Sequence, residues 1–202
     1  MYSYEPARGH GLAHDPLNAI VGPRPIGWIS SQAADGTLNL APYSFFNLFN
    51  YRPPILAFAS VGLKDSAGNI AATKNFVWNL VTRPLAEQMN ITCSAVAPEV
   101  DEFVLAGLTP EPSTRIAVPR VAESPVAFEC VLTQQMELTD RGGAGIGAFM
   151  TFGEVVMIHI AEHLIVDGVY DLAASQTILR AGRGGDYIEV EPGAFFAMPR
   201  PT

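Results

Sequence analysis

The stretch GPRPIGWISSQAADGTLNLAPYSFFN (residues 22–47), continued by LFNYRPPILAFASVGLK (residues 48–64), decides the fold. Apolar runs at 26–31 and 38–40 flank Asp35-Gly36, a pair that tolerates positive φ, and this predicts a β-hairpin. Residues 55–61 form a continuous apolar run entered through Pro53 and Pro54, the pattern of a buried strand whose start is set by proline. Between hairpin and strand lies a small-polar and aromatic patch, Ser44, Phe45, Phe46 and Asn47. The strand ends in hydroxyls and a lysine, Ser60, Lys64 and Ser66.

Outward from this stretch the period changes, but no linker divides the chain. Ser66 is placed to cap a short helix over 67–73, and Phe76, Trp78 and Leu80 alternate as in a strand. Thr82 is placed to cap a second helix, with Pro84 in its first turn and Leu85, Met89 and Cys93 on one face. A third helix over 101–106 ends at Gly107. Four prolines make residues 110–125 a fixed, irregular crossing segment. Two long strand patterns, 126–138 and 149–164, are joined by a glycine-rich loop at 142–147, and 187–190 adds a last strand. The expectation is a mainly β, antiparallel single domain over residues 1–202, with an N-terminal arm at 1–20 and a few inserted short helices. A closed barrel leaves no long edge exposed.

Composition narrows the function. Of the 202 residues 49% are hydrophobic, enough for one substantial core. Only 16% are charged and the net charge is -8, so most of the surface repels a phosphate backbone and nucleic acid is not an expected partner. High apolar content with few charges also suits a chain that buries part of its exterior against a second copy, and a homodimer is expected. Cys93 and Cys130 are too few for a disulfide framework or a zinc site and read as ordinary buried thiols in a reducing compartment. The N-terminus lacks a basic start followed by an apolar run, and no segment reaches the ~20 apolar residues that span a bilayer. The expected location is cytoplasmic, with no membrane partner.

Most motif patterns fail on context. Residues 143–148, GAGIGA, satisfy a dinucleotide-binding fingerprint, but that motif needs a helix to follow, whose N-terminus holds pyrophosphate; here a strand follows. Neither a phosphate-binding loop ending in lysine and a hydroxyl nor a GxSxG elbow is present. His159 and His163 stand four apart, yet on a strand that is roughly 13 Å, too far to share a metal. No metal is expected. His159 remains open to two readings: a group that moves a proton, or a histidine bonded to a neighbour in a core or interface. Lys64, one of only two lysines, can reach a phosphate beside Ser60 and Ser66 or can be a solvated lysine in a turn.

Taken together, GPRPIGWISSQAADGTLNLAPYSFFN, PPILAFASVGLKDSAGNIAATKNFVWNLV, VDEFVLAGLTP and RVAESPVAFEC resemble the flavin reductase-like family of FMN-binding split-barrel proteins, its flavoredoxin-type branch above all. The likeness runs from about Val21 to His159, with a weaker echo near the C-terminus. It implies a six-stranded antiparallel Greek-key split barrel, a homodimer, and FMN in a groove near the subunit interface. On this resemblance Trp28, Ile29, Ser30 and Ser31 line the ribityl and ring region, and Ser44, Phe45, Phe46 and Asn47 bond the pyrimidine edge. Ala59, Ser60, Val61 and Lys64 approach the ribityl chain and phosphate, with Asp65 and Ser66 completing the turn; Arg183 and Tyr187 come from the less certain C-terminal match. The activity implied is hydride transfer from NADH or NADPH to flavin N5, then electron transfer to free flavin, iron, a quinone or a protein. The alternative is a flavoredoxin-like electron carrier without an efficient nicotinamide site of its own.

Overall fold

The computed structural model describes residues 1–201. The chain runs through α1 (Leu17–Ile20), β1 (Gly27–Gln32), β2 (Leu38–Tyr43), β3 (Phe46–Tyr51), β4 (Pro54–Val61), α2 (Asp65–Thr73) and β5 (Asn75–Asn79). Helices α3 (Ala86–Ile91) and α4 (Glu102–Ala106) follow, then the small ribbon β6 (Pro110–Glu111) with β7 (Arg120–Val121). The long hairpin of β8 (Val126–Thr139) and β9 (Gly145–Ile160) is followed by two more ribbons, β10 (Ile165–Val166) with β11 (Val169–Tyr170), and β12 (Ile178–Arg180) with β13 (Tyr187–Glu189).

Seven strands form one antiparallel sheet in the order β2-β1-β5-β8-β9-β4-β3, one strand more than the six that the resemblance implied. The addition is β3. Its residues from Asn47 to Tyr51 are all exposed and its register slips between Leu48 and Asn50, so it carries no alternation that sequence could show. Although β2 and β3 are the two outer strands, only Ser44 and Phe45 separate them in the chain. Three Cα steps span at most ~11 Å, so the sheet has to curl until its edges meet at that link. This is the closed end of a split barrel.

Strand β1 is buried on both faces. Ile29 points into the barrel core with Tyr43, Leu56, Phe58, Ile70 and Phe76. Trp28, one residue earlier, points into a second core with Leu40, Met89, Phe103 and Val121, beneath α3 and α4. A strand with apolar neighbours on both faces reads as a continuous run, as residues 26–31 do.

The helices differ in detail from expectation. Helix α2 starts at Asp65 with Lys64 at its N-cap, while Ser66 lies inside the first turn, buried, with its hydroxyl bonded to Asn39. Thr82 opens a 3-10 turn, Arg83–Leu85, before α3, and Cys93 falls past the helix end, where it is exposed rather than buried like Cys130. Asp101 caps α4 by accepting from the amides of Phe103 and Val104, and Gly107 ends that helix at φ 66. Strand β9 begins at Gly145, ahead of the expected start, and ends at Ile160, because residues 162–164 turn as a 3-10 helix. Among the described residues no helix is long and apolar enough to cross a membrane.

Gly27 permits one close approach. The Phe46 ring lies over it, stacked on Trp78 at 5.7 Å between centroids and 5° between planes. A Cβ at residue 27 would meet Phe46 Cδ2 at 2.7 Å. Gly27→Ala should therefore destabilise the protein by about 1–3 kcal/mol, read as a lowered urea midpoint, because the ring has to leave the stack.

Candidate functional site

Two clefts flank the Ser44–Phe45 link. The first, about 510 Å³, lies between the end of β2, the N-terminus of α2 and the loop after α3; Tyr43, Lys64, Asp65, Ser66 and residues 92–96 line it. The second, about 440 Å³, is walled by Phe45, Phe46, Phe49 and Met150, with Arg24, Ser44 and Asn47 at its rim. The end of β4 joins them. The Ala59 amide donates to the Phe45 carbonyl at 2.8 Å, and two residues on the strand ends at Val61, from which the turn leads to Lys64.

The structure thus gathers Ser44, Phe45, Phe46, Asn47, Ala59, Val61, Lys64 and Asp65 around one corner of the barrel. Ser60 and Ser66 are there too, but buried: Ser60 Oγ donates to the Gly62 carbonyl at 2.8 Å and Ser66 Oγ to Asn39 Oδ1 at 2.7 Å. Burial raises the pKa of the Tyr43 phenol beside them, and both hydroxyls oppose that rise. Lys64 is exposed, and its ammonium has no hydrogen-bond or ion-pair partner among the described residues.

Trp28, Ile29, Ser30 and Ser31 line neither cleft with their side chains. Strand β1 is paired on both sides and packed on both faces, which leaves all four at 0% exposure. They support the first cleft from behind. Trp28 Nε1 donates to Thr92 Oγ1 at 3.0 Å, and Ser31 Oγ donates to Asn39 Oδ1 at 3.2 Å. Ser30 Oγ donates to the Pro119 carbonyl at 2.7 Å, anchoring the crossing segment. Tyr187 stacks under the Arg180 guanidinium, 4.8 Å from its ring centroid, and burial raises the pKa of its phenol. Arg183 sits exposed at the turn of its ribbon and lines neither cleft.

Sequence reasoning passed over Arg24, Asn39 and Glu102. Arg24 Nε donates to the Ser44 carbonyl at 3.1 Å and Nη1 to the carbonyls of Asn18 and Val21 at 2.6 and 3.2 Å. Its guanidinium carbon lies 5.6 Å from the Phe45 ring centroid. A lone cation between two prolines was the available signal. Nothing local marked Glu102, which contacts Asn39 and Leu40 about sixty positions away.

His159 lies away from both clefts. Its Nε2 is 2.6 Å from Glu129 Oε1, and the buried Glu129 carboxylate also accepts from the amides of Thr114 and Arg115, both at 2.7 Å, and Ile116 at 3.2 Å. The reading of His159 as bonded to a neighbour fits this geometry. Burial pushes the Glu129 carboxyl up, but the Thr114 amide, the His159 ring and the Arg115 amide outweigh it and its pKa is lowered. A lowered folded pKa adds stability that is fully present above the unfolded carboxylate value of about 4.3 and is lost as pH falls through the folded value. Glu129→Gln should cost about 1–3 kcal/mol at neutral pH, and its urea midpoint should fall less than the wild-type midpoint between neutral and acid pH.

The antiparallel split barrel, with two clefts at one aromatic corner, defines the class: a small β-barrel domain. The chain belongs to the flavin reductase like domain family, which matches residues 22–172. Nitrilotriacetate monooxygenase component B from Bacillus cereus superposes with a TM-score of 0.88 at 29% identity, over 98% of each chain. The 2-nitrobenzoate 2-nitroreductase of Pseudomonas fluorescens gives 0.81 at 31% identity, over 92% of this chain and 91% of that one. An uncharacterized protein from Aquifex aeolicus is 40% identical over 151 residues, 72% of this chain and 74% of its own length.

Proposed function

We propose that the protein is an FMN-binding oxidoreductase of the flavin reductase type, a homodimer that takes electrons from NADH or NADPH. One observation carries this reading: Lys64, an unpartnered cation in an acidic chain, stands at the N-cap of α2, on the rim of a cleft that adjoins the Ser44–Phe45 corner. The donor set suits FMN. The first amides of α2 have no partner inside the helix and their dipoles favour an anion, so with Lys64 they would hold the phosphate. Asp65 is exposed and can turn its carboxylate to water.

The backbone of Ser44 to Asn47 would bond the pyrimidine edge, with Phe45 and Phe46 giving apolar contact, while Ala59, Ser60 and Val61 border the ribityl path. Arg24 would keep the corner in shape through the Ser44 carbonyl. Trp28 to Ser31 would hold the cleft wall, and Tyr187 and Arg183 would approach from the C-terminal ribbon of the same or a second copy. When bound, the flavin supplies the redox chemistry, accepting a hydride from reduced nicotinamide and passing electrons to free flavin, iron, a quinone or a protein. The protein's part is to place the rings and exclude competing reactions. Exposed Leu48, Phe49 and Tyr51 on β3, with Val156, Ile158 and Ile160 on β9, supply apolar surface for a second subunit.

Apo-protein titrated with FMN should retain visible flavin absorbance through gel filtration, and the loaded protein should oxidise NADH or NADPH in steady state. A colourless protein would refute FMN binding; retained flavin with negligible turnover on either donor would favour the electron-carrier alternative. Lys64→Ala should weaken FMN binding by about 1–3 kcal/mol while leaving the thermal melt unchanged. Sedimentation equilibrium should give twice the chain mass.

A further inference from the structure

In the wall of the first cleft sits a carboxylate for which the proposed function has no use. Glu102, the first residue of α4, is 5% exposed and has no ion-pair partner among the described residues. Its two oxygens each accept from Asn39 Nδ2 at 3.0 Å, and one also accepts from the Leu40 amide at 3.0 Å. Burial raises the pKa of its carboxyl, partly offset by the Leu40 amide and Asn39, and the charge of Asp65 adds to the rise. Lys64 and Asp65 at the start of α2, Tyr43 of β2 and Cys93 after α3 line the same cleft.

An ionised carboxylate has no proton to give, so Asn39 must turn its amide nitrogen towards Glu102. Asn39 Oδ1 then faces the other way and accepts from Ser66 Oγ at 2.7 Å and Ser31 Oγ at 3.2 Å. Asn69 Nδ2 in turn donates to Ser31 Oγ at 3.4 Å, consistent with a Ser31 proton committed to Asn39. A hydroxyl has one proton, and that of Ser66 is directed inward. The lone pairs that remain face the Tyr43 phenol, which lines the same cleft, so Ser66 offers an anion no donor.

We propose that Glu102 is a positioning residue for anion recognition: acting through Asn39, it turns the Ser66 hydroxyl away from the N-terminus of α2 and weakens capture of a phosphate-bearing ligand. The inference rests on reading this cleft as the FMN phosphate site. Neutralising Glu102 reverses the chain. A donor at residue 102 bonds Asn39 Oδ1, Asn39 Nδ2 turns to Ser66 Oγ, and the Ser66 proton is released to the cleft.

The test is fluorescence titration of the apo-protein with FMN and with riboflavin, which lacks the phosphate. Glu102→Gln should bind FMN about fivefold tighter, the effect of one added hydrogen bond, with riboflavin affinity unmoved. Ser66→Ala should cost several-fold more FMN affinity in the Glu102→Gln background than in the wild type. A gain absent from Glu102→Gln, shared equally by riboflavin, or surviving Ser66→Ala overturns the relay; the last of these is the signature of plain charge removal. Wild-type protein that binds neither flavin defeats the parent reading instead, a separate result. If Glu102→Gln shows no cooperative melt, Asn39→Ser cuts the same relay and leaves Glu102 its Leu40 amide. It should raise the ratio of FMN to riboflavin affinity, and an unchanged ratio overturns the proposal.

Discussion

Two residues, Ser44 and Phe45, are all the chain that separates the two outer strands of its sheet. That short tether forces the edges together, and the placing of both clefts follows from it. The sheet cannot lie open, so its inner face closes over Ile29, Phe58 and Phe76. The link itself cannot join the ladder as a regular strand. Its carbonyls are taken instead by Arg24 and by the amide of Ala59, and the backbone between them is left at the surface between two clefts. Loops fixed by a rigid scaffold are where binding groups are usually found.

Two buried glutamates show how the same side chain serves opposite ends. Glu129 is surrounded by donors, three amides and a histidine, and its pKa is lowered despite burial. It binds the proline-rich crossing segment to the β8–β9 hairpin, a structural task far from either cleft. Glu102 has fewer donors, and burial prevails, so its pKa is raised. The difference lies in the number of protons aimed at each carboxylate rather than in depth alone.

What the sequence made legible, and what it did not, follows from the range of the interactions. Asp35-Gly36, the apolar run at 55–61 and the Asp101–Gly107 helix signals are local, and each led to an element that the structure contains. Strand β3 was missed because a strand exposed along most of its length has no periodicity to read. The start of α2 was displaced by two residues because Ser66, a good capping residue by type, is bonded to Asn39 across the fold. Residue type and order pointed to Lys64 and the Ser44 to Asn47 corner, which the structure sets beside the two clefts. The orientation of Trp28 to Ser31 was not legible, since a strand buried on both faces has the same composition as one that lines a groove. Glu102 and Asn39 meet only through folding, and no single-sequence pattern ties them.

Arg24 gives the N-terminal arm a part in the shape of the Ser44–Phe45 corner. One guanidinium is shared between the carbonyls of Asn18 and Val21, around α1, and that of Ser44. Trimming the arm ahead of Val21 would remove one of these acceptors and free the side chain to swing. The first twenty residues, which bury no side chain fully, are in this sense a brace whose loss would be felt at the opposite end of that arginine.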